Sequence, residues 1–383
     1  AGLPILPRGA GTALAGQSVN RAVILDFSAR CRTIRSVSVE KRRARVEPGV
    51  VLDQLNAHLA PHGLMFGPDV ATASHANLGG MIGNNSAGAY SILHGRTVEH
   101  VVAIDALLAD GSRHEFREGS CMANEREFAL VERLAEIVLP LREEIARRVP
   151  KIRRHVDGYN LDLLLAQLDA SPPGTFDRVN LATLLCGSEG TLAVTLGAEV
   201  SLVDRPVTRG LAMVAFATVD AALEALGAIL AQRPAAVEMI DEVIIETARL
   251  NREHAATVEL LPRVNGRDPG AVLYVEHFGA SRSEVESKLK AIASAAPDAP
   301  RLEYLDAESM RRAWHLRKAG EPLLHAIPGE RKPVTFVEDT AVDSSRLRAF
   351  VHEFKAIVER HGTRAAYWAH ASVGCLHIRP LIN

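Results

Sequence analysis

The chain has 383 residues, of which 47% are hydrophobic, and it carries a formal net charge of −2 at pH 7. This length allows two domains with separate cores, and the nearly balanced charge argues against a general attraction to nucleic acid. The sequence has no run of about 18 or more apolar residues and no charged-then-apolar leader, so it predicts neither a membrane span nor a secretory signal. Its four cysteines lie far apart, which predicts no disulfide framework and no cysteine-held metal and favours a reducing compartment.

The first predicted element is an apolar strand at residues 3–6, followed directly by a loop crowded with glycine and alanine. Such a loop turns tightly and presents successive backbone N–H groups to an anion. It lacks the Lys-Ser or Lys-Thr pair of a P-loop and the glycine spacing of a nicotinamide-binding crossover, so we interpret it as a flavin diphosphate site. An ordinary glycine-rich turn, in which Arg8 only anchors the loop, is the open alternative. The candidate cofactor-binding residues are Pro7, Arg8, Gly9, Ala10, Gly11, Thr12, Gly16 and Gln17.

Short strands are predicted next, at residues 22–26, 34–39 and 43–46, the second of them from strict alternation of apolar and polar residues. Residues 51–62 have apolar positions at helical spacing. That pattern predicts a helix, and Gly63 is a suitable cap for its C-terminus.

A second concentration of small residues covers positions 67–88. Few core elements tolerate several glycines and a proline in so short a span, so we expect something flat or charged to lie against this segment. A flavin ring fits, because it needs close backbone approach together with amide and hydroxyl partners. A long surface loop is the alternative. The candidate residues are Pro68, Asp69, Gly79, Gly80, Gly83, Asn84, Asn85, Ser86 and Gly88.

Strands are predicted at residues 98–108 and 113–116, joined by an Asp-Gly turn, and one or two helices at residues 125–148. A third glycine turn follows, with strands expected on both sides, and its candidate residues are Gly187, Glu189 and Gly190. Glu189 could instead serve only as a local loop anchor. Three loops of this kind indicate one large ligand.

After about residue 206 the pattern changes to strands alternating with amphipathic helices. Strands are predicted at 211–216, 271–278 and 334–338, and a helix at 219–230. We therefore predict two α+β domains, residues 1–205 and 206–383. Because the first residue is Ala1 and the first loop comes so early, we also expect further sequence upstream.

Taken together, the three loops resemble the FAD-binding domain of the vanillyl-alcohol oxidase type, also called the para-cresol methylhydroxylase (PCMH) type. The resemblance implies a PCMH-type FAD-binding domain that holds FAD in an extended form. The diphosphate would lie on the first loop and the isoalloxazine ring near the other two. Some relatives carry a histidine that attaches the flavin covalently where this chain has Thr12, so we expect non-covalent FAD.

The second half resembles the C-terminal domain of FAD-linked oxidases, in the branch of D-lactate, glycolate and D-2-hydroxyglutarate dehydrogenases. The run Trp314 to Lys318, Lys332 and the run His370 to His377 carry this resemblance. It implies a substrate (cap) domain built from an antiparallel sheet and helices. The form it resembles most is the large bacterial flavoprotein that continues into an iron–sulfur domain, and any such cluster is expected outside this chain.

The same resemblance implies oxidation of a small D-2-hydroxy acid to the 2-oxo acid, with electrons passed to a protein or quinone rather than to NAD. A cytoplasmic, bacterial location is expected, with peripheral association at the inner membrane left open. Two rival readings are a non-catalytic flavin-binding subunit of an electron-transfer complex and an alkyl-glycerone-phosphate-synthase-like transferase. The transferase would need a catalytic tyrosine, for which Tyr274 and Tyr367 are the candidates.

Four residues are the catalytic candidates. His370 and His377 flank a glycine-containing turn and could bring two imidazoles to a Zn²⁺ or Mn²⁺ that polarises the substrate hydroxyl. Hydrogen-bonded histidines beside a turn are the alternative. Arg317 is the expected clamp for the substrate carboxylate and Lys332 a second positive charge, although either could be a solvated surface charge. Relatives add a carboxylate ligand and a histidine base downstream of the equivalent of Asn383.

Overall fold

The computed structural model describes residues 2–383, and these form two compact units. The first unit comprises residues 2–88, His94–Lys151 and His155–Arg205. The second comprises Ala89–Leu93, Ile152–Arg154 and Pro206–Asn383. Two short stretches from the first half of the chain therefore belong to the second unit, an interruption that the sequence pattern did not predict.

The first unit contains a five-stranded antiparallel sheet of order β3-β4-β8-β6-β7 and two small strand pairs, β1-β2 and β5-β9. Its strands are β1 (Ile5–Arg8), β2 (Val23–Asp26), β3 (Ile34–Ser38), β4 (Arg43–Val46), β5 (Leu64–Met65), β6 (Val101–Leu107), β7 (Arg113–Arg117), β8 (Val194–Ser201) and β9 (Val203–Asp204). In strand β4, apolar and charged residues alternate, so that one face of the strand is buried and the other is exposed. Ala44 and Val46 are buried, while Arg45 lies on the other face and donates to Glu199 at 3.0 Å.

Six helices accompany these strands among the described residues: α1 (Leu52–Leu59), α2 (Leu78–Gly83), α4 (Glu125–Val138), α5 (Arg142–Arg148), α6 (Leu161–Ala170) and α7 (Ala182–Leu185). The short helix α3 (Ser91–His94) lies mostly in the stretch Ala89–Leu93, which belongs to the second unit. Asn124 caps α4 by accepting from the backbone N–H groups of Arg126 and Glu127. Of the one or two helices predicted at 125–148, the structure forms two, α4 and α5, separated by a 3₁₀ turn at Leu139–Leu141. The predicted cap is confirmed, because Gly63 adopts φ 67° after the turn that ends α1.

One helix in this unit was not predicted and one prediction is wrong. Within the second glycine-rich segment, Leu78–Gly83 forms helix α2, whose apolar side chains are buried. The third glycine turn has helix α7 before it rather than a strand, with β8 following.

The second unit is built on an eight-stranded sheet of order β13-β10-β12-β11-β16-β17-β14, with β15 also pairing with β17. Its strands are β10 (Thr208–Phe216), β11 (Ala236–Asp241), β12 (Ala271–Gly279), β13 (Arg301–Tyr304), β14 (Lys332–Pro333), β15 (Val337–Ala341), β16 (Ala365–His370) and β17 (Cys375–Ile382). Every pairing is antiparallel. The strand predicted at 334–338 is wrong, since β14 ends at Pro333 and β15 begins only at Val337.

The helices of this unit are α8 (Val219–Leu230), α9 (Glu242–Leu250), α10 (Ala255–Val258), α11 (Arg282–Ala295), α12 (Ala307–Lys318), α13 (Gly320–His325) and α14 (Leu347–Arg360). Each sheet face has its own core, because successive strand residues point to opposite faces. On β16, Tyr367 packs into the core formed with α8, α11 and α14. Its neighbour Trp368 packs into the core formed with α9, α12 and α13. Among residues 2–383, no helix has both the length and the apolar character needed to cross a bilayer.

Candidate functional site

The three glycine-bearing loops of the first unit contact one another. A Cβ added to Gly190 would lie 2.7 Å from Cγ of Pro7, and one added to Gly9 would lie 3.4 Å from Cα of Gly80. The backbone N–H of Glu189 donates to the carbonyl of Gly83 at 2.9 Å. Residues 7–9, 79–83 and 187–190 therefore converge.

The glycines in these loops fall into two groups. For Gly79, Gly88 and Gly187 an added Cβ would strike protein atoms, at 2.6 Å from Pro48, 1.7 Å from Asp69 and 2.9 Å from Gly158. Packing within the protein is sufficient to explain why these three positions are glycine. Gly9 and Gly190 are also confined by protein atoms, at 3.3 Å from Asn77 and 2.7 Å from Pro7. Four glycines leave open space, with no described atom nearer than 3.8 Å to the added Cβ, and they are Gly11, Gly16, Gly80 and Gly83. That open space fits the close approach of a ligand to the backbone.

Unpaired polar atoms lie in the same loops. Asn77 donates through Nδ2 to the carbonyl of Gly49 at 2.8 Å, and its buried Oδ1 has no partner among residues 2–383. Asn85, held at φ 49°, accepts from the backbone of Val98 through Oδ1, while its buried Nδ2 has no partner in that range. The side-chain Oε1 of Gln17 is also buried and has no partner among residues 2–383. Buried polar groups are normally hydrogen-bonded, so these loops fit a bound polar ligand.

Other predicted cofactor residues have partners within the protein. Arg8 forms an ion pair with Asp26 at 2.9 Å, and hydrogen bonds from Ser28 and then Arg8 lower the pKa of Asp26 to about 2. Arg8 thus anchors its own loop. Asn84 donates to the hydroxyl of Ser86 at 3.2 Å. Of the remaining residues, Pro68 is buried, Asp69 half-buried, and Ala10, Thr12 and Glu189 exposed.

In the second unit, a row of titratable residues lies along one face of the central strands. We call it the charged row, and its members are Glu238, Arg317, Glu338, Asp339, His370, Cys375 and His377. Met239 on β11 pairs with Ala369 on β16, which brings Glu238 opposite His370. Nδ1 of His370 lies 2.8 Å from Oε1 of Glu238, which is only 1% exposed. Burial raises the pKa of Glu238, while the charge of Arg317 opposes this effect and favours the carboxylate. A carboxylate can only accept, so in that form Glu238 holds the proton of His370 on Nδ1. Nε2 of His370 then carries the lone pair.

Arg317 reaches this row from helix α12. Its Nη2 donates to Oε2 of Glu238 at 2.5 Å and lies 3.5 Å from the carbonyl of Ala369. The guanidinium is buried, and its Nε has no partner among the described residues. The structure thus places Arg317 beside His370 through their shared carboxylate.

His377 lies on the next strand and shows the same kind of pairing. It is opposite Trp368 in the β16–β17 register, and its ring centroid is 5.0 Å from that of His370. Its Nδ1 contacts Glu338, which also binds Arg379. Both histidines therefore have a carboxylate on Nδ1, the arrangement that metal-ligating histidines usually show.

Asp339 and Cys375 complete the row. Asp339 lies 3.8 Å from His377 and 3.4 Å from the thiol of Cys375, and it pairs with Arg154 at 3.0 Å. Possible metal ligands come together in one group among the described residues, Asp339, Cys375 and His377, and His370 is not a member.

Burial and charge set the protonation of this row. Burial, then the charges of Arg154 and His377, hold the pKa of His370 well below its ordinary value, so this imidazole is neutral at pH 7. Burial also raises the pKa of the Cys375 thiol, which disfavours the thiolate. Burial would raise the pKa of Glu338 too, but the hydrogen bond and charge of His377 bring it below its usual range.

Lys332 is not part of this row. It is exposed on β14, next to Ile382, and its Nζ donates to the carbonyl of Ile327 at 2.7 Å. The tyrosines named for a transferase are buried, and Tyr367 packs on the opposite sheet face against Phe354.

Sequence reasoning missed the acidic partners and two of the arginines, namely Glu238, Glu338, Asp339, Arg154 and Arg379. A usable signal existed for Glu238, since this acidic residue has apolar neighbours on both sides within β11. A buried charge needs a partner, so such a residue predicts a cationic or donor group nearby. No comparable local signal marks Arg154.

Comparison with known proteins agrees with this architecture. Residues 1–117 match the family model of the FAD binding domain, and residues 205–383 match that of the C-terminal domain of FAD linked oxidases. The chain belongs to the FAD-linked oxidases. A D-2-hydroxyglutarate dehydrogenase of Pseudomonas putida is 31% identical to this FAD-linked oxidase over 392 residues, covering 99% of the chain and 38% of that protein.

A glycolate oxidase subunit GlcD of Escherichia coli is 26% identical to this FAD-linked oxidase, with 99% of the chain and 64% of that protein covered. Among solved structures, p-cresol methylhydroxylase has a TM-score of 0.62 at 14% identity, covering 100% of this chain and 70% of that one. An alkyldihydroxyacetonephosphate synthase has a TM-score of 0.65 at 15% identity, covering 100% and 66%. The predicted fold, a PCMH-type domain followed by an FAD-linked oxidase C-terminal domain, is confirmed. This FAD-linked oxidase spans 38% of the length of the D-2-hydroxyglutarate dehydrogenases it matches.

Proposed function

We propose that this chain is the flavin-dependent part of an enzyme that oxidises a small D-2-hydroxy acid to the 2-oxo acid. One observation carries the proposal: two histidines with their Nδ1 atoms fixed by carboxylates lie beside a buried guanidinium on one sheet face. Oxidation of a 2-hydroxy acid needs a proton acceptor or alkoxide stabiliser and an anchor for the carboxylate, and these groups can supply both. The relatives named D-2-hydroxyglutarate dehydrogenase and glycolate oxidase support the same reaction class.

FAD supplies the acceptor for the C2 hydride when it is bound. We assign its binding to the converging loops of the first unit, where Asn77 and Asn85 offer an unpaired acceptor and an unpaired donor. Thr12, where a covalent attachment would need histidine, supports non-covalent binding. The chain is then expected to release FAD on denaturation.

The histidines act on the hydroxyl in this proposal. Since His370 is neutral and its Nδ1–H is held by Glu238, its Nε2 lone pair is available to a proton or a cation. His377 has the same arrangement with Glu338. We propose that these two residues hold a Zn²⁺ or Mn²⁺, which would polarise the substrate hydroxyl. Burial raises the pKa of the Cys375 thiol, so this residue would have to lose its proton in order to bind the cation.

The electron acceptor is proposed to be a protein or a quinone. The glycine loops lack the nicotinamide-type spacing, which favours an acceptor other than NAD. A reducing, cytoplasmic location, with peripheral association at the inner membrane left open, is proposed from the four cysteines, all free in the structure.

Anaerobic reduction of the bound flavin tests the proposal. We expect D-2-hydroxyglutarate, D-lactate or a close analogue to bleach the flavin absorbance, and the L-enantiomers to leave it unchanged. The measurement is a titration in the absence of oxygen, using the protein with its FAD bound. A yellow protein that no 2-hydroxy acid bleaches would contradict the proposal and favour a non-catalytic flavin-binding subunit.

Replacing His377 with alanine should slow flavin reduction by about 100-fold or more and leave the FAD content unchanged. The reason is that His377 belongs to the sheet of the second unit, whereas the proposed FAD loops lie in the first. His361→Ala is the matched control, since His361 is exposed at the end of α14 and should have no effect. Loss of FAD from His377→Ala would contradict the assignment of His377 to the substrate rather than to FAD binding.

A further inference from the structure

Arg154 is a buried arginine whose hydrogen bonds are incomplete. Its side chain is 5% exposed, and Nη2 donates to Oδ1 of Asp339 at 3.0 Å. Nε and Nη1 are buried and have no partner among residues 2–383. Native proteins rarely leave buried donors unpaired, because each one costs free energy that a partner would recover. Two unpaired donors on one buried cation therefore indicate an acceptor that is not part of the chain.

The position of Arg154 is also unexpected. It belongs to Ile152–Arg154, a stretch of three residues that packs with the second unit although the chain on both sides of it belongs to the first. It lies outside both segments matched by family models, residues 1–117 and 205–383. Neither the motifs nor the family comparison assigns it a role.

The guanidinium lies beside the charged row described above. Its partner Asp339 is 3.8 Å from His377 and 3.4 Å from the thiol of Cys375. The two unpaired N–H donors thus belong to the same neighbourhood as the groups proposed to act on the hydroxyl.

The chemistry of these donors selects an anionic acceptor. Asp339 takes one edge of the guanidinium, and its pKa is held below the ordinary value by the charge of Arg154 against the opposing effect of burial. Further donors on the same cation favour oxygen atoms that carry negative charge, and arginine is the residue best suited to bind a carboxylate. We propose that Arg154 binds a carboxylate of the 2-hydroxy acid through one of these unpaired N–H groups, an inference that rests on the proposed function.

Stopped-flow reduction of the FAD-bound protein separates substrate binding from hydride transfer. For Arg154→Gln we expect the Kd of the D-2-hydroxy acid to rise about 10- to 100-fold, as the loss of hydrogen bonds to a charged group predicts, with a change of only a few-fold in the limiting rate of reduction. Arg154→Lys keeps the charge and can keep the pair with Asp339, and its Kd should rise less. Arg153→Gln is the matched control, because Arg153 is the exposed neighbour and should behave as wild type.

A substrate pair distinguishes binding from a structural role. The primary amide of the same acid has no carboxylate charge, so wild type should prefer the acid and Arg154→Gln should lose most of that preference. A structural role would instead weaken acid and amide equally, lower the melting temperature and release FAD in both variants, and that result would overturn the inference. An unchanged Kd in a folded Arg154→Gln would overturn it too. If no 2-hydroxy acid bleaches the flavin of the wild-type protein, the proposed function is contradicted. If the wild-type flavin is bleached and Arg154→Gln binds the acid with the same Kd, only the inference about Arg154 is contradicted.

Discussion

Replacing Glu238 with alanine should lower the free energy of unfolding by about 3–5 kcal/mol and abolish flavin reduction by a D-2-hydroxy acid. Glu238 is 1% exposed and accepts from both Arg317 and His370. Its removal leaves the buried guanidinium of Arg317 without a counter-charge and frees the ring of His370 to turn. Urea unfolding monitored by circular dichroism, together with anaerobic flavin titration, measures both effects.

Two further variants test whether the loss of stability and of flavin reduction comes from removing the buried carboxylate of Glu238. Glu246→Ala breaks an ion pair with Arg364 in which both side chains are more than half exposed, and it should cost less than about 1 kcal/mol. Glu238→Gln keeps the size of the side chain but offers N–H groups where His370 or Arg317 needs an acceptor. It should fold and reduce its flavin about 100- to 10,000-fold more slowly. Normal reduction rates in Glu238→Gln would show that the carboxylate does not position His370.

Gly88→Ala should destabilise the first unit by about 3 kcal/mol or more and yield protein that retains little FAD. A Cβ at this position would lie 1.7 Å from the carbonyl oxygen of Asp69 and 2.5 Å from its carbonyl carbon. Both are backbone atoms, so no side-chain rotation relieves the clash and one of the two segments has to move. FAD content after gel filtration and the melting temperature are the measurements.

Gly227→Ala is the matched substitution for comparison. Gly227 lies inside α8, and apart from its chain neighbours and the backbone of its own helix no described atom lies within 4 Å of an added Cβ. Alanine there should stabilise the protein by about 0.5–1 kcal/mol, because it restricts the unfolded chain and favours the helix. If Gly88→Ala were as stable as Gly227→Ala and bound FAD normally, the contact with Asp69 would not be essential.

The sequence predicted elements well where one local pattern dominated. Helix α8 has the predicted bounds, since its apolar residues fall on one face and Thr218 caps its start. Helix α2 was missed because three of its six residues are glycine, which local propensity excludes from a helix. Contacts far away in sequence fix it instead, as the N–H of Gly79 donates to the carbonyl of Pro48 at 2.8 Å.

Sequence analysis identified only part of the candidate site. His370 and His377 were named because they flank one turn, whereas their carboxylate partners lie 132 and 39 residues away. Only the strand register brings Glu238 next to His370, and no periodicity in the sequence specifies which strands become neighbours. Lys332 was named from resemblance alone, and the structure places it at an exposed edge strand.

The stretch Ile152–Arg154 also bears on how the protein is made. Arg154 precedes its partner Asp339 by 185 residues, so at about 5–20 residues per second the ribosome needs roughly 10–40 s to synthesise the chain between them. During that interval the nascent guanidinium cannot reach its carboxylate, because Asp339 has not yet been synthesised. The second unit can therefore complete its folding only after residue 339 has been made, and until then Arg154 lacks the carboxylate that it pairs with when buried.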